Sequence, residues 1–310
     1  MDSIGIPGAG EPFFGRNVEL TKWILKQCAE RGIYVTLFTT GEFITPELAA
    51  ELFAQPVEIM LKGNSLDPDR QDRFVSDPSR GRIIHGYGEA RNRAIEILMT
   101  AGFNDREAAR KHGRESRMAL VTSIMTDEQD AGLSNLDEVA EIYRFCRNRN
   151  IIADIDTILK RGRALECGLQ AGDQRIMQVL SALRQIAITE FGDAEASLSS
   201  TYVETVCDRF HHHLYVDVEG RIRPCIGAMD VDLGNIRTTT LNQAWNSQER
   251  RIIRDRKYAG VCAGCANFKE KKCHSCLGRR TPATGEKRLT KELLLKDGCV
   301  HTTGCPLFRK

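Results

Sequence analysis

The sequence contains no apolar run of about eighteen residues, and it does not start with a basic segment followed by an apolar stretch. Neither a membrane-spanning helix nor a secretory leader is therefore expected, and the protein is read as cytoplasmic, with no membrane partner. No internal repeat or low-complexity tract is present either. With 41% hydrophobic and 28% charged residues, the chain is not of the composition that stays disordered. Its 310 residues can bury a full core and are expected to divide into two domains. Cysteine is scarce over the first two thirds, where only Cys28, Cys146 and Cys167 occur. A disulfide framework, which staples short secreted chains, is a poor account of that distribution.

The remaining eight cysteines, Cys207, Cys225, Cys262, Cys265, Cys273, Cys276, Cys299 and Cys305, crowd the last third. In a reducing compartment, paired thiols at such spacing point to metal, and eight thiolates make two sets of four. Two CxxC pairs alone fit a zinc ribbon as well as an iron–sulfur site; the extra cysteines and the Cys305-Pro306 ending favour iron–sulfur. Residues 250–310 hold sixteen Lys or Arg against five Asp or Glu, although the whole chain is only +2. Nucleic-acid binding is one reading of that basic tail. The reading preferred here is that the cations surround an anionic thiolate–metal centre, so nucleic acid is not the expected partner.

From residue 3 to about 158, short β-rich runs alternate with amphipathic stretches, which predicts βα units and a parallel sheet. Strands are expected near Ile4–Ile6, Tyr34–Phe38, Val57–Leu61, Met118–Ile124 and Ile151–Ile155, and helices at Val18–Arg31, Pro46–Phe53, Glu89–Ala101 and Leu136–Arg147. Gly32 and Gly102 stand where left-handed helix caps are wanted. The polar stretch Asn104–Glu115 reads as an exposed linker or insertion, and a helix near Asp173–Glu190 as a bridge to the cysteine module. The fold class is thus α/β, a partial (β/α) barrel followed by a small cysteine-rich module, with ligands expected at the carboxyl ends of the strands. There lie Gly8–Pro12, Thr39–Gly41 and Asn64–Asp67. The glycine-rich turn lets backbone approach a ligand closely, and Glu11 can accept hydrogen bonds from a cationic amine.

Several of these stations resemble motifs of the radical S-adenosylmethionine (SAM) enzymes. Gly10-Glu11-Pro12 resembles their glycine-glycine-glutamate-proline turn. Thr39-Thr40-Gly41 resembles the threonine-asparagine-glycine turn, with Thr40 in place of asparagine, Ser65-Leu66-Asp67 the serine-x-aspartate, and Gly162-Arg163-Ala164 the glycine-arginine-alanine after a later strand. The resemblance implies SAM binding by Gly8, Gly10, Glu11, Pro12 and Ser65; read without the family, Ser65 is a turn or helix-cap serine. The family's CxxxCxxC motif, which holds the catalytic [4Fe-4S] cluster, is absent from this sequence. Truncation is the expectation carried here, and a third cluster is expected only with such a segment. Cys28, inside a predicted helix, is no substitute and reads as a small core residue. Cys146 is likewise read as structural, as is Cys167, which lies near enough to the module to be a spare ligand.

The last third resembles the SPASM extension of such enzymes: Cys207, twelve residues, Gly220, four residues, Cys225, then Cys262-x-x-Cys265, seven residues, Cys273-x-x-Cys276, and Cys299 and Cys305. The middle spacings of two, seven and two depart from the family's usual two, five and three. A hairpin over Leu214–Ile222, turning at Gly220, should present Cys225, and Trp245 should anchor the core. The resemblance implies two auxiliary [4Fe-4S] clusters, with Cys207, Cys225 and Cys276 on one, Cys262, Cys265 and Cys273 on the other, and Cys299 and Cys305 completing the sets. His211, His212 and His213 are weaker metal candidates. The domains expected are a barrel over 1–165, a helical bridge over 166–206 and the SPASM-like module over 207–310. The function implied is an oxygen-sensitive enzyme that modifies a peptide or protein side chain through 5'-deoxyadenosyl radical hydrogen abstraction, fed by a donor such as flavodoxin or ferredoxin. The alternative is a non-catalytic zinc or iron–sulfur module binding a peptide or nucleic acid.

Overall fold

The computed structural model describes residues 2–7, 10–77, 80–126, 133–158, 171–193, 209–229, 231–255 and 264–270. The chain divides into two compact units, residues 1–158 with 168–198, and residues 159–167 with 199–310.

The first unit is built on five strands, β1 Ser3–Ile6, β2 Tyr34–Thr39, β3 Val57–Lys62, β4 Met118–Ile124 and β5 Ile152–Thr157. They lie in sequence order, and each pairs in parallel with the next. Parallel neighbours need a crossover between them, and α1 Asn17–Ala29, α2 Pro46–Phe53, α3 Pro68–Val75, α4 Tyr87–Thr100, α5 Arg106–Arg110 and α6 Val139–Asn148 supply these. Val35, Leu37, Val57, Ile59, Leu61, Met118 and Leu120 form one buried cluster with Leu25 and Cys28 of α1, Ala49 and Leu52 of α2, Ala94, Ile95 and Leu98 of α4, and Ile142 and Cys146 of α6. Side chains alternate along a strand, so these residues mark a single face of the sheet as the helix-covered one. Strands in sequence order with helices on one face are a (β/α) barrel arrangement, as expected.

Local chemistry fixes the joints. Thr45 and Asp67 accept N-capping hydrogen bonds from Leu48 N and Arg70 N, and each is followed by proline at the first helical position. After α1 the chain reverses at Gly32, φ 65°, with Ile33 N donating to Cys28 O; after α4 it does so at Gly102, φ 95°, with Phe103 N donating to Leu98 O. The stretch read as an exposed linker or insertion is mostly exposed, as expected, and contains the short helix α5, capped by Asp105 and sealed by buried Ala109. It looks polar because one buried side chain suffices for so short a helix. Fully buried Arg117 donates to the carbonyls of Phe53, Gln55 and Val57 between the rings of Phe53 and Phe103, and so ties the α2–β3 turn to β4.

A further helix, α7 Asp173–Phe191, belongs to this unit and packs on α6. Arg144 pairs with Glu190 at 2.6 Å, and the Arg147 guanidinium lies over the rings of Tyr143 and Phe191.

In the second unit α8 Arg209–His212 precedes an antiparallel hairpin, β6 Tyr215–Val216 with β7 Ile222–Arg223, followed by α9 Leu241–Trp245, α10 Gln248–Arg254 and α11 Ala266–Lys269. The hairpin turns through Gly220 at φ 80°, where the expected glycine is needed. Ile222, Cys225, Ala228, Val231, Leu233, Ala244, Ile252 and Ile253 form its core. Trp245 is only half-buried: Ala244 takes the core position, and the Trp245 ring instead lies 3.2 Å from the guanidinium of fully buried Arg250. That corrects the expected anchor, because the cation occupies the place an apolar contact would have filled.

Candidate functional site at the strand ends and the cysteine module

The carboxyl ends of β1 and β2 converge on one carboxylate. Glu11 Oε1 accepts from the Thr39 hydroxyl at 2.6 Å and from Phe13 N at 3.3 Å; Oε2 accepts from Thr40 N at 2.8 Å and the Thr40 hydroxyl at 2.9 Å. The loop around it is pinned, since the Glu11 carbonyl accepts from Asn17 Nδ2 and the buried Pro12 carbonyl from Thr21, while Phe13 enters the core. Gly41, at φ 89°, completes the neighbouring turn; a Cβ there would meet Leu61 Cδ1 at 2.6 Å. Gly10 is under no such steric demand. Gly8 lies outside the described residues. Because Glu11 already receives hydrogen bonds from its own chain, its carboxylate is fixed in place at the strand ends, and a ligand amine would meet the neighbouring main-chain groups as well.

At the end of β3, Ser65 is fully buried and its hydroxyl donates to Glu138 Oε2 at 2.6 Å. Glu138 Oε1 also accepts from Leu66 N at 2.6 Å, and Arg70 pairs with Glu138 and Asp137. Gln71 accepts from Asn64 N and Ser65 N, while Asn135 donates to the carbonyls of Asn64 and Ser123. Asp67, not Ser65, is the cap of α3. Fully buried Arg91 donates to the Ser65 carbonyl through Nη2; its Nη1 has no hydrogen-bond partner and faces Gly63, where a Cβ would collide with it. Burial pushes the Arg91 guanidinium below its ordinary value, partly offset by Tyr87 and Glu138. The loop is therefore held rigid from β4, α3, α4 and the segment before α6. Glu138 and Arg91 were missed by the sequence reading because both act across 26 or more positions of chain.

The sheet face opposite the helices is layered. At its amino end Thr36 donates to Glu58 at 2.6 Å, Arg114 pairs with Glu58, and Tyr34 meets Arg114 and His112. Above that, register aligns Phe38, Met60, Ala119 and Ile152 in an apolar row. The next row is Lys62, Val121 and Asp154, and the one after contains Ser123 and Asp156. Polar character thus returns at the same end as Glu11 and Ser65.

In the second unit, Cys225 directly follows the hairpin and is buried in its core, and half-buried Cys265 packs against the same cluster. Two expected ligands thus share one cluster. Cys207, Cys262, Cys273, Cys276, Cys299 and Cys305 lie outside the described residues, as do Gly162-Arg163-Ala164 and Cys167. Among the described residues no group of three or more potential metal ligands is assembled. His211 and His212 are exposed on α8, a helical turn and not a strand. A thiol donor set seated against apolar residues is the environment an iron–sulfur cluster takes, so the two cysteines described fit that group. The expectation for Cys28 and Cys146 holds: both are buried core residues.

Residues 207–266 match the model of the SPASM family, an iron–sulfur cluster-binding domain. No curated protein matches the sequence. Among solved structures, native anSMEcpe with bound AdoMet superposes with a TM-score of 0.60 at 14% identity, over 94% of this chain and 78% of that one. Native anSMEcpe with bound AdoMet and Kp18Cys peptide gives 0.55 at 14%, over 87% and 74%. Streptococcus suis SuiB bound to precursor peptide SuiA gives 0.60 at 15%, over 92% of this chain and 63% of that chain. Residues 207–266 thus resemble an iron–sulfur cluster-binding domain of the SPASM family, and the chain shares the α/β fold of these solved structures.

Proposed function

We propose that the protein is a radical SAM/SPASM enzyme that modifies a peptide or protein side chain. The observation that carries this reading is the convergence of the Glu11–Thr39–Thr40 cluster and the Ser65 loop on the same end of one parallel sheet. Similar folds solved with AdoMet and with peptides support it. In this reading Gly8, Gly10, Glu11 and Pro12 line the SAM site, and Ser65, whose buried hydroxyl is committed to Glu138, shapes the adjoining loop that Glu138 and Arg91 hold in place. The radical SAM barrel would occupy 1–165, a helical bridge 166–206 and the cluster module 207–310, where the eight cysteines bind two auxiliary [4Fe-4S] clusters. When bound, SAM and the clusters would supply radical and electron-transfer chemistry, with electrons from a donor such as flavodoxin or ferredoxin in the cytoplasm. The chain's own contribution is a preorganised strand-end pocket whose carboxylate, Glu11, is oriented before any ligand arrives.

SAM binding, and not turnover, is the direct test, because the sequence holds no CxxxCxxC. Protein reconstituted anaerobically with iron and sulfide should bind SAM in calorimetry and contain about eight irons per chain, as two four-iron clusters require. Glu11→Gln should weaken SAM binding about tenfold, the cost of a lost charge-assisted hydrogen bond. Reconstituted protein with full iron content and no SAM binding would overturn the enzyme reading in favour of a non-catalytic cluster module.

A further inference from the structure

Lys62 closes β3 on the helix-free face, in register with Val121 and, one strand further, Asp154. Adjacent strands are about 4.8 Å apart, so the Lys62 and Asp154 backbones stand roughly 10 Å from one another across an apolar floor. The ammonium lies 5.9 Å from the centre of the Phe38 ring. No carboxylate among the described residues forms an ion pair with it. Its side chain is open to solvent, yet loss of hydration on this face pushes the ammonium below the usual lysine value, only partly countered by Asp154. Below it lies the apolar row of Phe38, Met60, Ala119 and Ile152, and beneath that the closed layer of Glu58, Thr36 and Arg114. The cations and carboxylates at the amino end of the face are thus satisfied internally, whereas Lys62 stands at the open end, the end of the sheet that carries the Glu11 and Ser65 loops.

We propose that Lys62 binds a carboxylate of the substrate, so that the enzyme selects peptides with an acidic side chain or a free C-terminus beside the reacting position. The proposal rests on the peptide-modifying reading above. A ligand carboxylate would give the ammonium the ionic partner that no described residue supplies, while the apolar row receives the adjoining aliphatic or aromatic part.

The test uses the full reconstituted chain with SAM present and two fluorescent hexapeptide pools that differ only in a fixed central Glu or Gln. Wild type should bind the Glu pool about tenfold tighter, since one charge-assisted hydrogen bond is worth roughly that factor. Lys62→Met should abolish the preference, Lys62→Arg should retain part of it, and Lys62→Glu should reverse it. Equal binding of the pools by wild type, including no binding of either, or a preference that survives Lys62→Met, would overturn the proposal. SAM and decarboxylated SAM titrated into the same proteins separate the other source of a carboxylate. If Lys62→Met weakens SAM about tenfold and leaves decarboxylated SAM unaffected, the lysine serves the cofactor, and the substrate assignment falls. If wild type fails to bind SAM at all, the radical SAM reading fails whatever the pools show.

Discussion

In the first unit, Cys28 and Cys146 lie among aliphatic side chains in a core of twenty buried residues, whereas in the second Cys225 and Cys265 edge a described core of only eight. Burial pushes the Cys146 thiol up to about 12 and raises Cys28 as well, so both remain protonated at neutral pH. A metal ligand must instead be a thiolate. The same residue type is thus packing material in one unit and, by its place in a cysteine-rich segment, a candidate ligand in the other. The first unit gains its stability from apolar burial against a parallel sheet. The described core of the second is smaller, and small metal-binding modules draw folding free energy from their metal.

Iron removal is the largest break in this comparison. Chelation, or Cys225→Ser together with Cys265→Ser, should abolish the cooperative unfolding of the second unit and its visible cluster absorption, while the first unit's transition stays in place in calorimetry. Cys28→Ala and Cys146→Ala should leave iron content unchanged. If the metal-free module still melts cooperatively at its original temperature, the contrast drawn between the two cores is wrong.

A core truncation should show the reverse asymmetry at smaller scale. Fully buried Leu61 sits on β3 between the Gly41 turn and α4. Leu61→Ala should cost about 3 kcal/mol through lost burial and a residual cavity, lowering the first unit's melting temperature and leaving the iron-dependent transition alone. An equal shift of both transitions would show that the units do not unfold separately.

The sheet was largely legible in the sequence because strand periodicity and β-rich runs are local. Pro46–Phe53 matches the expected helix, and every strand lies within a residue or two of its expected bounds. The site was legible only in part. Glu11 and Ser65 stood out through their turns, but what they bond to was hidden, since Thr40 and Glu138 reach them from 29 and 73 positions away. Helix α3 was missed because its residues are mostly polar, with only buried Gln71 and Asp72 facing inward. Asp72 is buried for a reason no pattern shows: its carboxylate accepts from Gly86 N and Gly88 N and so caps α4 from another helix. Trp245 misled for the same cause, a tertiary partner in Arg250.

The smallest test compares two helix caps. Thr45 caps α2 in the first unit, and Thr240 forms a capping box with Gln243 at α9 in the second. Each threonine accepts the same kind of bond, from Leu48 N at 3.2 Å and Gln243 N at 3.2 Å, so Thr45→Ala and Thr240→Ala should each cost about 1 kcal/mol. The shift in melting temperature equals that cost divided by the unfolding entropy, which scales with the number of residues that unfold together. The first unit is the larger, so its cap loss should lower its transition by about 3 °C, and loss of the Thr240 cap should lower the cluster-loaded second transition by about 5 °C. Two equal shifts would mean that the second unit unfolds with the first as one block, and the division between a burial-driven and a metal-driven unit would then hold for composition but not for cooperativity.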